Sequence, residues 1–319
     1  MPFAQSFCSA IPTLRLRAVL AFAAVAGACA AQAVEDPARA AGRGAAVTEV
    51  VAGDPPGPLA AKSFRQARED GRARIIFFYV PSSGFAYRDR EGNLTGVTVE
   101  LLRDFASSVA DTHGIQVEVA WVEEPRWADF YGYVRDSEGG VFGIGNVTIT
   151  EARRAELDFS PPYLNNIAVL VTNEQVPELA SMEEIGEAFA GLTALPYPGT
   201  LHEARLNAIR ERWLPGIPIR PVASNDELVS RLASEAGYFG YIDVYNYWRA
   251  RQAGQPLRRH PVGDDSSETF GVILPHGSDW TPVLREFFQA EGGYARSARF
   301  QELLRRHLGD ELASLLSGG

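Results

Sequence analysis

Short apolar runs alternate with segments of helical periodicity along most of this chain, and that alternation limits its fold more than any other feature. Residues 75–80 are all apolar or aromatic, which is typical of a strand buried on both faces of a parallel sheet. Residues 97–110 carry apolar side chains at helical spacing, and residues 115–122 alternate as a half-buried strand does. Because the exchange of strand and helix continues to residue 308, the sequence predicts an α/β fold.

The remaining predicted elements follow the same pattern. Strands are expected at 141–150, 168–172, 192–195, 217–219, 238–242 and 270–274, and helices at 64–70, 200–213, 226–236, 281–291 and 295–308. A buried helix is also expected directly after Asp243, where the sequence runs VYNYW. No internal repeat is present, so repeat architectures are excluded.

The first 33 residues have the composition of a secretory signal peptide. Arg15 and Arg17 precede an apolar stretch over 18–31, and residues 31–33 read Ala-Gln-Ala, the small-x-small pattern of a cleavage site. The stretch is shorter than the roughly 20 residues that a membrane anchor needs. We therefore expect export and a soluble, monomeric mature protein in the periplasm.

Both cysteines, Cys8 and Cys29, lie inside this segment, so the mature protein is expected to lack disulfides and thiol-based sites. Cleavage before Cys29 as a lipoprotein is the alternative. The residues before it, Ala-Gly-Ala at 26–28, lack the bulky aliphatic side chain usual three places upstream. We therefore expect no lipid on the mature protein.

A flexible leader is predicted over residues 34–62. This segment is rich in Ala, Gly and Pro, with the run GDPPGP at 53–58, and it shows no sustained apolar period.

Charge and motifs exclude several function classes. The chain has 40 acidic and 30 basic residues, a formal net charge of −10 and a pI of about 5.1, which disfavours nucleic acid as a partner. The five histidines have no metal-ligand spacing, and no dinucleotide fingerprint, Walker loop or Gly-x-Ser-x-Gly motif occurs. We expect neither a metal nor a cofactor, and no enzyme activity.

Four motifs together resemble the extracellular solute-binding proteins of amino-acid ABC importers, the family 3 type. The first is FAY at 85–87 with DREGNLTG at 89–96, and the most specific is GNVTITEAR at 145–153 followed by DFSPPY at 158–163. Gly-Thr at 199–200 and Asp243 at a strand end complete the set. The resemblance covers about residues 74–308.

The resemblance implies a two-lobed periplasmic-binding-protein fold of type II. It places the ligand in the cleft between the lobes, which are joined by two hinge strands and close around the ligand. The first lobe is then expected at 72–170 and 270–309, and the second at 171–269, with hinges near 171–172 and 268–269. It also implies an amino acid-like ligand and an ABC permease in the inner membrane as partner.

Three candidate ligand contacts lie at and after one predicted strand end. Arg153 offers a guanidinium fork to a carboxylate, at the strand end where α/β sheets place ligands. A surface ion pair with Glu151 or Glu156 is the alternative. Thr148 and Asn146 are expected to offer a hydroxyl, an amide and backbone groups to the same ligand, unless neighbouring protein groups already satisfy them.

Three more candidates belong to the expected second lobe. Thr200 opens a predicted helix, and the N-terminus of a helix is suited to binding a carboxylate. An ordinary N-cap threonine would give the same sequence pattern. Asp243 is expected to hold an ammonium group, or else to cap the helix behind it. The resemblance implies an aromatic side chain where this chain has Ser82, so Tyr197 or Trp127 is expected to supply the missing ring face.

Two other functions remain open at this stage. A binding module that serves a periplasmic enzyme or receptor would use the same cleft. A cyclohexadienyl-dehydratase-like enzyme would need a carboxyl acid or base in the cleft, for which Glu123, Glu124 and Glu268 are the candidates.

Overall fold

The computed structural model describes residues 46–51 and 57–317. The predicted signal peptide and residues 34–45 and 52–56 of the predicted leader lie outside the described residues. The strands are β1 (Val47–Val51), β2 (Arg72–Tyr79), β3 (Tyr87–Arg88), β4 (Leu94–Thr95), β5 (Gln116–Glu123), β6 (Val141–Thr148), β7 (Leu157–Phe159), β8 (Leu164–Asn173), β9 (Thr193–Ala194), β10 (Tyr238–Asp243), β11 (Leu257–Arg259) and β12 (Asp265–Pro275).

The helices alternate with these strands. They are α1 (Phe64–Glu69), α2 (Val97–His113), α3 (Trp127–Arg135), α4 (Glu151–Arg154), α5 (Ile185–Ala188), α6 (Leu201–Trp213), α7 (Asn225–Ser234), α8 (Val244–Gln252), α9 (Thr281–Gln289), α10 (Ala298–Leu308) and α11 (Asp310–Ser317). Single 3₁₀ turns occur at Met182–Glu184, Pro261–Gly263, Ala290–Gly292 and Tyr294–Arg296. Within the described ranges, no helix is long and apolar enough to cross a membrane.

One mixed sheet contains ten of the described strands, in the order β1-β5-β2-β6-β12-β8-β10-β9, with β7 beside β12 and β11 beside β8. β2 pairs in parallel with both β5 and β6, and the side chains of Ile75, Phe77 and Phe78 are fully buried. The apolar run therefore forms the doubly covered central strand that the sequence predicts, and the α/β prediction is confirmed.

β8 and β12 connect two parts of the sheet by changing partners along their length. β8 pairs with β12 from Leu164 to Ala168 and with β10 from Ala168 to Thr172. β12 pairs with β8 up to Phe270 and with β6 and β7 from there to its end. We call the part with β1, β2, β5, β6 and β7 the first lobe and the part with β9, β10 and β11 the second lobe.

The change of partner on β8 comes at Ala168, ahead of the predicted boundary at residue 171. β12 changes at Phe270, beside the predicted boundary between 269 and 270. The lobe boundaries, as limits of moving bodies, stay a prediction.

β1 lies inside the segment assigned to a flexible leader. Val47–Val51 pair in parallel with Val117–Trp121 of β5. The Glu49 carboxylate accepts hydrogen bonds from Arg103 at 2.8 and 2.9 Å and from the Trp121 indole at 3.2 Å. The run VTEVV is short, but valine and threonine favour strands. It forms an edge strand by hydrogen-bonding to the backbone of β5.

Candidate functional site

A cleft of about 190 Å³ lies where β6, β10 and the start of α6 meet. It is formed at the carboxyl ends of strands, the position that α/β sheets commonly give to ligands. All six residues predicted from sequence line it: Asn146, Thr148, Arg153, Tyr197, Thr200 and Asp243. Their roles as ligand contacts stay predictions, but their common location is a property of the fold.

Local structure determines where Arg153 points. Thr150 is the N-cap of α4, and its hydroxyl accepts a hydrogen bond from the Arg153 amide at 3.2 Å. The short helix turns the Arg153 side chain back toward β6, where Nη1 donates to the Thr148 carbonyl oxygen at 3.1 Å. The guanidinium therefore lies at the floor of the cleft.

The surroundings of Arg153 leave its positive charge without a carboxylate partner. The guanidinium carbon lies 4.8 Å from the centre of the Trp127 ring and 5.6 Å from that of Tyr131, and the two rings stack on each other. Burial lowers the pKa of Arg153, against the opposing influence of Tyr131 and Glu268. Among the described residues no Asp or Glu oxygen lies within ion-pair distance of Arg153.

The alternative reading of Arg153 as a surface ion pair is therefore wrong. Glu151 lies 3.9 Å from Arg154, and Glu156 lies 3.9 Å from Arg135. The neighbouring arginine, Arg154, is exposed, as expected for a solvated side chain. The two adjacent arginines thus differ sharply in environment.

Asn146 is held by the protein on both sides of its amide. Nδ2 donates to the Tyr245 hydroxyl at 2.8 Å, and Oδ1 accepts from the Tyr163 hydroxyl at 3.2 Å. Its backbone has a φ of 52°, a left-handed conformation that asparagine tolerates better than most residues at a cost on the order of 1 kcal/mol. The Asn146 side chain thus joins the lobes, whereas Thr148 is buried and contributes its carbonyl oxygen to Arg153.

Thr200 is the N-cap of α6, as the alternative reading of its sequence context predicts. Its hydroxyl accepts from the Glu203 amide at 3.4 Å and donates to the Tyr197 carbonyl at 2.7 Å. The hydroxyl is thereby occupied, but the amides of Leu201 and His202 have no hydrogen-bond partner in the described part of the chain. These two amides belong to the first turn of α6, where the helix dipole places a positive partial charge that attracts an anion.

Asp243 is buried and does not cap α8 through its side chain. Oδ1 accepts from Asn166 Nδ2 at 2.5 Å and lies 3.3 Å from His202 Nε2, and the carboxylate also hydrogen-bonds Tyr245. Burial alone would raise the pKa of Asp243, but His202 and these hydrogen bonds outweigh it, so the pKa lies below its ordinary value. The group stays ionised inside the protein.

Sequence reasoning missed seven polar residues that line the cleft: Ser83, His202, Ser224, Asn225, Asp226, Tyr245 and Asn246. His202 and Tyr245 each stand two residues after a predicted contact, Thr200 and Asp243. A residue two positions after a helix start still lies in the first turn of the helix, near the predicted contact. This spacing could have identified His202 and Tyr245. Asn225 and Asn246 carry no comparable pattern.

The ring expected at the cleft comes from three places. Trp127 and Tyr197 both line it, and the Trp127 indole donates to the Gly145 carbonyl at 3.2 Å. That either ring contacts a ligand in place of the aromatic side chain missing at Ser82 stays a prediction. Tyr245 of the second lobe adds a third ring, which packs against the buried Phe85 at 4.6 Å.

Comparison with known proteins gives one family and many related folds. The family profile described as bacterial extracellular solute-binding proteins, family 3, matches residues 76–306. No curated protein matches this chain in sequence.

Three solved structures illustrate the likeness of fold. An ABC uptake transporter substrate-binding protein from Streptococcus pneumoniae with bound histidine is 19% identical, with a TM-score of 0.60 over 79% of this chain and 98% of its own. The arginine-, lysine-, histidine-binding protein ArtJ from Geobacillus stearothermophilus is 17% identical, with a TM-score of 0.58 over 74% and 96%. The ancestral amino acid-binding protein AncCDT-1, a precursor of cyclohexadienyl dehydratase, is 17% identical, with a TM-score of 0.55 over 76% and 98%.

Proposed function

Because this chain belongs to the bacterial extracellular solute-binding proteins of family 3, we propose that it captures an amino acid or a similar small polar carboxylate between its lobes and delivers it to an ABC importer. The partner is then a permease in the inner membrane. The protein acts in the periplasm as a monomer, after export through the signal peptide over residues 1–33.

The observation that carries this proposal is the guanidinium of Arg153, which has no carboxylate partner among the described residues. Arg153 is partly buried, and a cation that loses water without gaining a carboxylate partner is costly to the folded protein. A ligand carboxylate would supply that partner through a bidentate pair. The free amides at the start of α6 lie in the same cleft but belong to the second lobe. One carboxylate-bearing molecule can therefore contact both lobes and hold them together.

Two features support binding over catalysis. Glu123, Glu124 and Glu268, the carboxyl groups considered for a dehydratase, are not among the residues that line the cleft. Glu268 is instead buried between Arg205 and the Asn166 amide. AncCDT-1, the structural relative linked by its name to a dehydratase, is itself described as an amino acid-binding protein.

A thermal-shift screen of the exported protein against amino acids and small carboxylates tests the proposal. A ligand at 100 times its dissociation constant should add about 2.7 kcal/mol to the free energy of unfolding. The intact mass of the exported protein should correspond to a chain that begins near Val34; a diacylglyceryl adduct on Cys29 would contradict the proposed processing.

Arg153→Ala should weaken binding of the best ligand by about 2–5 kcal/mol, because it removes a charged partner inside a closed cleft. Calorimetric titration measures this loss. Arg154→Ala is the matched control and should bind as the wild type does. Equal binding by wild type and Arg153→Ala would show that the ligand carboxylate is held elsewhere.

A further inference from the structure

The carboxylate of Asp243 already has several hydrogen-bond donors from the protein itself. Asn166 Nδ2 donates to Oδ1 at 2.5 Å, and His202 Nε2 lies 3.3 Å from the same oxygen. The Arg205 guanidinium, which only donates, lies 3.4 Å from His202 Nδ1. Nδ1 is therefore the acceptor, and the ring proton is on Nε2, toward Asp243.

The third donor to Asp243 is the Tyr245 hydroxyl. That hydroxyl accepts from Asn146 Nδ2 at 2.8 Å and also hydrogen-bonds Ser82. It thus joins the second-lobe carboxylate to polar groups of the first lobe. A ligand ammonium at Asp243 would make the same connection between the lobes, so the hydroxyl occupies the position that the ammonium would need.

The polar groups left without partners in the cleft are mainly donors. They are the amides of Leu201 and His202 and the fully buried Nδ2 of Asn246. The Arg153 guanidinium lies in the same cleft without a carboxylate partner. Of the acceptors, the buried Oδ1 of Asn225 and the exposed Asp226 carboxylate line the cleft from α7. They are available to the far end of a ligand.

We propose that the cleft selects a small carboxylate with no ammonium group beside the carboxylate, a 2-oxo or 2-hydroxy acid, and that the Tyr245 hydroxyl replaces the ammonium at Asp243. This inference rests on the proposed function and narrows its ligand class. An ammonium only donates hydrogen bonds. To reach Asp243 it must displace Tyr245, which would break the hydrogen bonds of the buried Tyr245 hydroxyl with the partly buried Asn146 and Ser82.

Matched sets of acids that differ only at carbon 2 test the selection. The probes are alanine, lactate and pyruvate; leucine with its 2-hydroxy and 2-oxo analogues; and glutamate, 2-hydroxyglutarate and 2-oxoglutarate. In calorimetric titrations of the mature protein, the 2-oxo or 2-hydroxy member of the best-binding set should bind at least tenfold more tightly than the amino acid. An amino acid that binds as tightly or more tightly overturns the inference.

Tyr245→Phe tests the assigned position while keeping the ring that packs against Phe85. It removes the donor to Asp243, so the ratio of amino-acid to 2-oxo-acid affinity should rise at least tenfold. Tyr247→Phe is the matched control, because Tyr247 is on the same helix, packs against the core and does not line the cleft. Equal weakening of all three members by Tyr245→Phe would mean a structural role only and would overturn the assignment.

The outcomes separate this inference from the proposed function. If amino acids bind best and Arg153→Ala abolishes their binding, the proposed function stands and the inference fails. If no amino acid or small carboxylate of the thermal-shift screen binds the wild type, both fail. Preference for the 2-oxo or 2-hydroxy acid, reversed by Tyr245→Phe and kept by Tyr247→Phe, is the result expected.

Discussion

Asp243 is an ionised group that the second lobe holds in place at the cleft. Its donors come from far along the chain: Asn166 is 77 residues before it, and the same amide also donates to Glu268 at 2.7 Å, 102 residues away. One buried amide thus links two buried carboxylates, and its own Oδ1 has no partner in the described part of the chain. Removal of any member leaves buried polar groups unpaired.

Asp243→Asn should therefore lower the free energy of unfolding by about 3 kcal/mol at pH 7, because it breaks a buried charged network. The folded-state pKa of Asp243 is below its ordinary value of 3.8, so its stabilising effect is complete above that pH and is lost as the pH falls through the folded-state pKa. The difference between wild type and variant in urea unfolding should be constant well above pH 3.8 and should shrink as the pH falls below that value.

Asp226→Asn serves as the control for this prediction. Asp226 lines the same cleft but is exposed, so its substitution should change stability by less than about 0.5 kcal/mol. A stability difference for Asp243→Asn that is small, or that stays constant with pH, would contradict the prediction.

The sequence predicted which residues lie together in the cleft, but it did not predict their hydrogen-bond partners. Arg153, Thr200 and Asp243 stand at strand ends and helix starts, where local pattern and topology together determine position. Their hydrogen-bond states depend on side chains such as Tyr245 and Asn166 that tertiary packing brings in. No local pattern encodes those partners, so the occupied carboxylate of Asp243 could not be predicted.

At the scale of elements, β1 shows a limit of composition as a guide. The Ala-, Gly- and Pro-rich context of residues 34–62 predicts a flexible leader, yet five residues within it extend the sheet. Their strand depends on an acceptor edge, β5, that lies some 65 residues further along the chain. The α3 and α11 helices were likewise not predicted, since they are short and their apolar faces are defined by the sheet and by α10.

Glu49 connects β1 to the first lobe, so Glu49→Ala should destabilise the protein by about 1 kcal/mol. This loss in the free energy of unfolding is typical of a partly exposed ion pair, here a bidentate pair between Glu49 and Arg103. Chemical denaturation with an unchanged m-value measures the loss. Glu118→Ala is the matched control on β5, where the Arg74 contact is exposed on both sides, and it should be nearly neutral. Equal effects of the two variants would mean that β1 does not depend on Glu49.

On the scale of the whole molecule, contacts between the lobes bear on how the cleft opens. Arg249 of α8 donates through Nη1 to the carbonyl oxygen of Ser83 in the first lobe, and Asn146 donates to Tyr245 across the same gap.

The α/β fold itself was predictable because alternating strands and helices impose it. The balance between open and closed forms was not, since it depends on a few side-chain contacts worth about 1–3 kcal/mol each.

Arg249→Ala should shift this balance toward the open form. Loss of one hydrogen bond to a charged donor, about 1.4 kcal/mol, changes the closed-to-open ratio roughly tenfold. Affinity for the best acid of the screen should fall by up to that factor, because less of the protein is competent to close on it. Arg251→Ala, which removes a contact to Glu174 within the second lobe, should leave the affinity unchanged.

Small-angle scattering gives the corresponding change in shape. The radius of gyration of the wild type should decrease when the best acid of the screen saturates the cleft, because the acid contacts Arg153 of one lobe and the start of α6 of the other, and so stabilises the closed form selectively. Arg249→Ala should have a larger radius than the wild type without the acid and the same radius with it. A wild-type radius that does not change on saturation would indicate a rigid pocket, and the delivery of a ligand by lobe closure would then be excluded.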